Sequence, residues 1–278
     1  MSDVSLSQGV RANLLQLQRN QALRLEVAER LATGRRVNRV NDDPQDYYTA
    51  QALSNRVGDL MERSGAINQA LSAAAAARDG LGGVESLTRQ LQGIAQAARG
   101  GTAEQRQAAA EQFDALRGQM SSLARDASYN GIELVADPAD DLTVRTGDIS
   151  GATVTVEGQA ASAAALGIGS AVGDYNGFAT DADIEAAIAD LGRAVDSVRS
   201  ADAQVGADIA SLETRDRFNR NLSNTLQGSV DGLTGADLNE EAATFLALQL
   251  QDRFATPGLR FAVRTGSLVV NLLGTGSR

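Results

Sequence analysis

Two pairs of adjacent acids, Asp42-Asp43 and Asp140-Asp141, come nearest to chemistry in this 278-residue chain. Neighbouring carboxylates can supply oxygen ligands to a hard divalent cation. Each pair also has a plainer role. Asp43 stands before Pro44, so it reads as an N-cap followed by a proline at the first helical position, and Asp140-Asp141 follow Pro138 in a turn. Gly80-Leu81-Gly82-Gly83 suggests a phosphate loop. It lies inside a helical period with no strand before it, which favours a packing or flexibility role. Ser150, Thr153, Thr155, Ser162 and Ser170 could accept sugars, although a solvated loop is the simpler reading. The chain has no His and no Cys, and every basic residue is Arg. That excludes histidine triads, thiol nucleophiles, Cys/His zinc sites, Schiff-base lysines and the P-loop lysine. A net charge of −10 opposes nucleic-acid binding, which needs a basic face. The expectation is a protein that is not an enzyme, with no catalytic residue, cofactor or metal.

The elements around these residues are long helices. Apolar residues alternate at steps of three and four from Leu53, Val57 and Leu60 to Ile67 and Leu71, then from Leu81 to Ala98. A second run is Phe113, Leu116, Met120, Leu123 and Ala127. A third runs from Ile184 and Ile188 through Val205, Ile209 and Leu212 to Val230. Such spacing makes a narrow seam, as in a coiled coil. Runs of about 50 residues would extend roughly 75 Å, so the expected class is mainly α: an elongated antiparallel helical bundle or coiled coil. Asp202, Asp216 and Asn219 interrupt the third seam. A polar seam position can set register, and surface drift explains them equally well.

Stop and start signals divide the helices. Gly34 closes a first helix from about Leu6 to Thr33. Gly100-Gly101 closes the second, Thr102 with Gln105 opens the next as a capping box, Thr180-Asp181 opens the third long run, and Asp237 with Glu240 opens the last. Between about 130 and 180 the pattern changes. Asn130-Gly131 is a turn signal, and Leu142–Thr146 with Thr153–Val156 reads as a short hairpin, giving a β-element at about 140–157. This small hairpin is expected at the tip of the helices, with loop from Gly158 to Gly177.

Both ends of the chain are amphipathic, and the antiparallel arrangement sets them side by side. Residues 1–40 and 236–278 are expected to form a terminal coiled-coil domain, and 41–235 a helical rod domain. Residues 1–40 carry seven Arg against three acids, while the middle of the chain is strongly acidic. Ordering each end costs about 1–2 kcal/mol per residue in backbone entropy. Two thin stripes packed only on each other cannot offset this, whereas many packed copies can. The start of the chain has no basic region followed by an apolar run, and no stretch is long enough for a membrane span.

On these residues the chain resembles bacterial flagellin, over nearly its whole length. Val37-Asn38-Arg39-Val40-Asn41-Asp42-Asp43-Pro44 is similar to the family's Ile-Asn-Ser-Ala-Lys-Asp-Asp-Pro stretch. Ser128-Tyr129-Asn130-Gly131-Ile132-Glu133-Leu134 resembles its Phe-Asn-Gly-x-x-Leu motif. Gly235-Ala236-Asp237-Leu238-Asn239-Glu240-Glu241 resembles the entry to its last helix, and Val269-Val270-Asn271-Leu272-Leu273 its apolar finish. The resemblance implies a short form without outer variable domains. It implies a subunit that polymerises with itself into the helical filament used for swimming. Export would run through the flagellar secretion channel without a cleaved signal peptide, to the extracellular flagellum. The implied partners are the export apparatus and its chaperone and the hook-associated and cap proteins, with no nucleic acid and no membrane. The alternatives are a hook–filament junction protein or, from another class, an intracellular coiled-coil adaptor or export chaperone.

The positions expected to carry the inner-core contact between subunits are Val10, Leu14, Leu17, Leu246, Leu250, Leu268 and Leu272. Asp43, Pro44, Asn130 and Gly131 carry the cap and turn motifs. Pro257-Gly258 departs from the family pattern, and a helix break is expected there.

Overall fold

The computed structural model describes residues 8–147 and 152–274. Five α-helices dominate: α1 (Gln8–Thr33), α2 (Pro44–Ala98), α3 (Ala103–Asp126), α4 (Asp181–Thr234) and α5 (Leu238–Gly274). Strands β1 (Leu142–Arg145) and β2 (Thr153–Val156) form one antiparallel pair. The capping chemistry accounts for the boundaries. Asp43 accepts the Asp46 N–H at 3.0 Å. Thr102 and Gln105 make the reciprocal capping box of α3, and Asp237 accepts the N–H groups of Asn239 and Glu240.

Two compact units divide the chain. The first comprises Met1–Arg56 with Thr225–Arg278, and the second Val57–Asn224. The helices themselves stop near the breaks expected at Gly34 and Gly235, but the first unit also takes in the opening turns of α2 and the closing turns of α4. Its joint explains this: the N–H groups of Arg36 and Val37 donate to Thr234 O, and Ala236 N–H donates to Gly34 O.

In the second unit α2 and α4 run antiparallel, laced by Arg78–Asp202 at 2.8 Å, Arg199–Glu85 at 2.9 Å and Arg99–Glu185 at 3.1 Å. The core between them interleaves alanines, among them Ala70, Ala73, Ala74, Ala77, Ala187 and Ala194, with larger side chains such as Leu81, Leu91, Leu191 and Leu212. Phe113, Tyr175 and Phe178 supply its aromatic mass, Phe113 meeting the other two rings edge-on. The hairpin alternates as its pleat requires, with Val144 and Val156 buried while Thr143 and Thr155 join hydroxyls on the exposed face at 3.1 Å. Its place differs from the tip expected. Val144 and Val156 belong to the same apolar cluster as the helices, and Arg145 shares a cavity with Asp59, Glu62, Arg63 and Ala66, which sets the hairpin along the flank of α2.

The stretch 158–177 is the loop expected, without α-helix or strand, and it is packed, with Ala161, Ala163, Ile168, Ala171 and Tyr175 buried in the core. Helix α5 continues through Pro257 and Gly258 without the expected break. Proline removes one donor from the ladder, and its ring crowds the carbonyl four residues back. Pro257 and Arg253 both lie on the exposed side, where water can satisfy that carbonyl, and the helix continues at the loss of one bond.

Candidate assembly surface

The first unit pairs α1 with α5, and polar pairs cross the contact between them. Asn20 donates to Gln251 at 3.2 Å, Arg24 meets Asp252 at 3.1 Å, and Arg30 meets Glu241 at 3.1 Å. Among the described side chains of the two helices, Val27 and Leu248 are the buried apolar ones. These pairs fix the antiparallel register and the rotation of each helix, and the rotation decides what faces outward.

Leu246, Leu250 and Phe254, each four residues apart, fall on one line of α5 and are 58%, 52% and 76% exposed. At ~100° per residue that line lies on the far side of α5 from Leu248 and Asp252. Leu14, Leu15 and Leu25 are likewise exposed on α1, on the half of that helix turned away from Asn20 and Val27, and Leu23 is exposed at the edge of the face that carries that pair. With Leu238, eight of the twelve large apolar side chains exposed among the described residues lie on α1 and α5. These leucines and Phe254 expose apolar surface on the helix pair, which is unfavourable in water.

Of the positions expected to carry this contact, Leu14, Leu246 and Leu250 are exposed and Leu17 is half-buried. The side chains of Val10, Leu268 and Leu272 lie outside the described residues. Leu15, Leu23, Leu25 and Phe254 were not among them. A three–four seam reading selects one face per helix, whereas α1 exposes leucines round half its circumference.

The acidic pairs and the turn motif have local roles. Asp42 accepts the N–H groups of Asn38 and Arg39, both at 2.9 Å, which holds its carboxyl below the usual range. Asp140 accepts the Glu133 N–H and Asp141 the Gly158 N–H. Asn130 and Gly131 have φ of 52° and 79° between Tyr129 and Ile132, which exchange backbone hydrogen bonds. That is the two-residue turn with both φ positive that Asn-Gly favours. Of the possible sugar acceptors, Ser162 is buried and donates to Asp137, Ser170 donates to Asp114, and Ser150 lies outside the described residues.

Three polar anchors had no sequence signature. Asp114 on α3 accepts from the Ser170 hydroxyl and from the N–H groups of Ala171 and Val172. Tyr175 donates to Asp190 at 2.7 Å and accepts from Gly169 N–H; burial and the carboxylate push its phenol up to about 12. Arg106 donates to the carbonyls of Arg99, Gly101, Phe178 and Ala179 and to Asp181, tying the end of α2 to the start of α4. No helix among the described residues is long and apolar enough to cross a membrane.

The family model described as the bacterial flagellin N-terminal helical region matches residues 6–139. Flagellin FljM of Caulobacter vibrioides is 24% identical over 98% of this chain and 98% of its own length. Flagellin FljK of the same organism is 25% identical over 88% and 89%. Among solved structures, Bacillus cereus flagellin is similar with a TM-score of 0.46 at 20% identity, over 54% of this chain and 86% of that one.

Proposed function

Because the chain belongs to the bacterial flagellin family, we propose that it acts as a structural subunit of the flagellar filament, held in the polymer through the outward faces of α1 and α5. The supporting observation is the line Leu246–Leu250–Phe254, exposed on the side of α5 that its own partner helix leaves bare. A single copy leaves this line in water, and packed copies bury it. The contact is heterologous: the outward face of one copy meets a different face of the next, so assembly runs on as a helix rather than closing as a dimer. The work of the protein is mechanical, the transmission of rotation along a stiff tube.

Family membership also supports export to the cell exterior through the flagellar channel, and contacts with a chaperone, the hook-associated proteins and the cap. The test is polymerisation of purified full-length protein from short seeds, followed by electron microscopy. Long tubes of uniform diameter support the reading. A small oligomer that never elongates, seen by gel filtration under the same conditions, would overturn it in favour of an adaptor.

A further inference from the structure

The seam of α4 in the second unit is apolar through Val205, Ile209 and Leu212, and the shared core ends there, with Ile67 its last member on α2. The next three seam positions are polar and buried: Asp216 is 8% exposed, Asn219 2% and Ser223 6%. They follow one another at steps of three and four, so they occupy one face. The cross-helix pairs, among them Arg220 with Asn68 at 3.4 Å, set this face against α2 from about Leu60 to Asn68. Asp216 spends one oxygen on Arg220 at 2.7 Å. Its other oxygen, Oδ1, and the amide nitrogen Nδ2 of Asn219 are buried and have no hydrogen-bond partner in the protein.

An acceptor and a donor, one turn apart on the same buried face, are both short of a partner. Each such atom left dry costs more than a hydrogen bond returns. A water molecule can donate to Oδ1 and accept from Nδ2, the minimum of two polar partners that holds an internal water. Ser223 adds a hydroxyl one turn further on. An apolar ligand has no match on this face. A metal ion would find one free carboxylate oxygen and a repelling amide.

We propose that Asp216, Asn219 and Ser223 form an internal hydration site, a wet interval in the α2–α4 seam where the two helices part more easily than in the apolar core that precedes it on α4. Water in the seam replaces close-packed contacts that elsewhere must all be broken together, so α4 opens locally from Asp216 to Leu226 while 184–212 stays closed.

The experiment uses the full-length protein in its unpolymerised state, with Asp216→Leu, Asn219→Leu, the double variant and the exchange variant Asp216→Asn/Asn219→Asp. Hydrogen exchange and thermal midpoint are read for each. In the native chain, amides 216–226 exchange at least tenfold faster than those of 184–212. Each single leucine strands its neighbour and leaves the midpoint unchanged or lower. The double variant dries the seam, raises the midpoint by about 5 °C and slows exchange in 216–226 about tenfold. The exchange variant, which keeps a donor and an acceptor, behaves like the native chain. Additive single effects, or unchanged exchange in the double variant, would overturn the proposal. If the double variant does not fold, an experimental density map of the native chain decides. A water peak within hydrogen-bond distance of both Oδ1 and Nδ2 supports the site, and a direct bond between them, or no peak, removes it.

Discussion

Replacing Leu250 and Leu248, two residues apart on α5, separates assembly from folding. Leu248 is 8% exposed and belongs to the contact with α1, whereas Leu250 is 52% exposed and faces away from it. Full burial of a leucine or phenylalanine side chain gains about 1.5–3 kcal/mol. The fractions still exposed at Leu246, Leu250 and Phe254 therefore leave about 3–5 kcal/mol per subunit to be gained when neighbours cover the line. At 1.4 kcal/mol per decade this is on the order of 10²–10⁴ in the concentration needed for elongation. Leu250→Ala gives up about 1 kcal/mol of it, a rise of roughly fivefold in critical concentration. Leu250→Asp must also bury a carboxylate without a partner and abolishes elongation. Neither variant lowers the midpoint of the unpolymerised chain appreciably. Leu248→Ala, by contrast, leaves a cavity between α1 and α5 and costs about 2–3 kcal/mol wherever that pair is folded. Sedimentation of polymer against subunit concentration, with circular dichroism melts of the subunit, reads both quantities. Normal elongation by Leu250→Asp, or a melt as damaged as that of Leu248→Ala, would refute the assignment of the outward line to assembly.

Glycines on one helix should respond with opposite signs. A Cβ on Gly80 would lie 2.5 Å from the Ala127 Cβ, so Gly80→Ala lowers the midpoint, by about 1–3 kcal/mol of stability. Gly82 has nothing within 4 Å of its Cβ position, so Gly82→Ala gains about 0.5–1 kcal/mol. Arg106→Ala leaves four carbonyls without their donor and should cost about 2–4 kcal/mol, seen as a midpoint about 5–12 °C lower. Asp208 has its carboxyl raised by burial, with Glu157 nearby adding to the shift. A raised folded-state value means that ionisation opposes folding, so its cost is absent in acid and appears as pH rises above the ordinary aspartate range. Asp208→Asn should therefore raise the midpoint at pH 7 and leave it unchanged near pH 3, as pH-dependent melts would show.

The helices were legible because two devices repeat over long distances. The three–four spacing of apolar residues fixes the faces of α2 and α4, and Thr102, Asp43 and Asp237 mark where helices begin. The hairpin was legible from alternation at Leu142–Arg145 and Thr153–Val156. Its placement was not, since nothing local to Val144 or Arg145 specifies that they lie against α2. The irregular stretch 158–177 hid its role because alanine and glycine carry no pattern. It takes its shape from single side chains far away in sequence, such as Asp114 and Arg117, whose hydrogen bonds to Ser170–Val172 and to Ile168 O leave no periodic trace. On α1 and α5 the sequence showed that the helices were amphipathic but not which leucines faced the partner helix. That depends on the rotation set by Asn20–Gln251 and Arg24–Asp252, pairs more than two hundred residues apart in the chain.

The joint between Gly34–Val37 and Leu233–Ala236 has a mechanical meaning. Three backbone bonds and the Arg36 guanidinium on Leu233 O, at 2.9 Å, splice the two crossings of the chain together. Tension applied along either terminal helix then divides between two covalent paths, down α2 and down α4, instead of loading one peptide linker. A shaft turned from its base gains from that division: stress reaching one tail of the polypeptide is shared at once with the other.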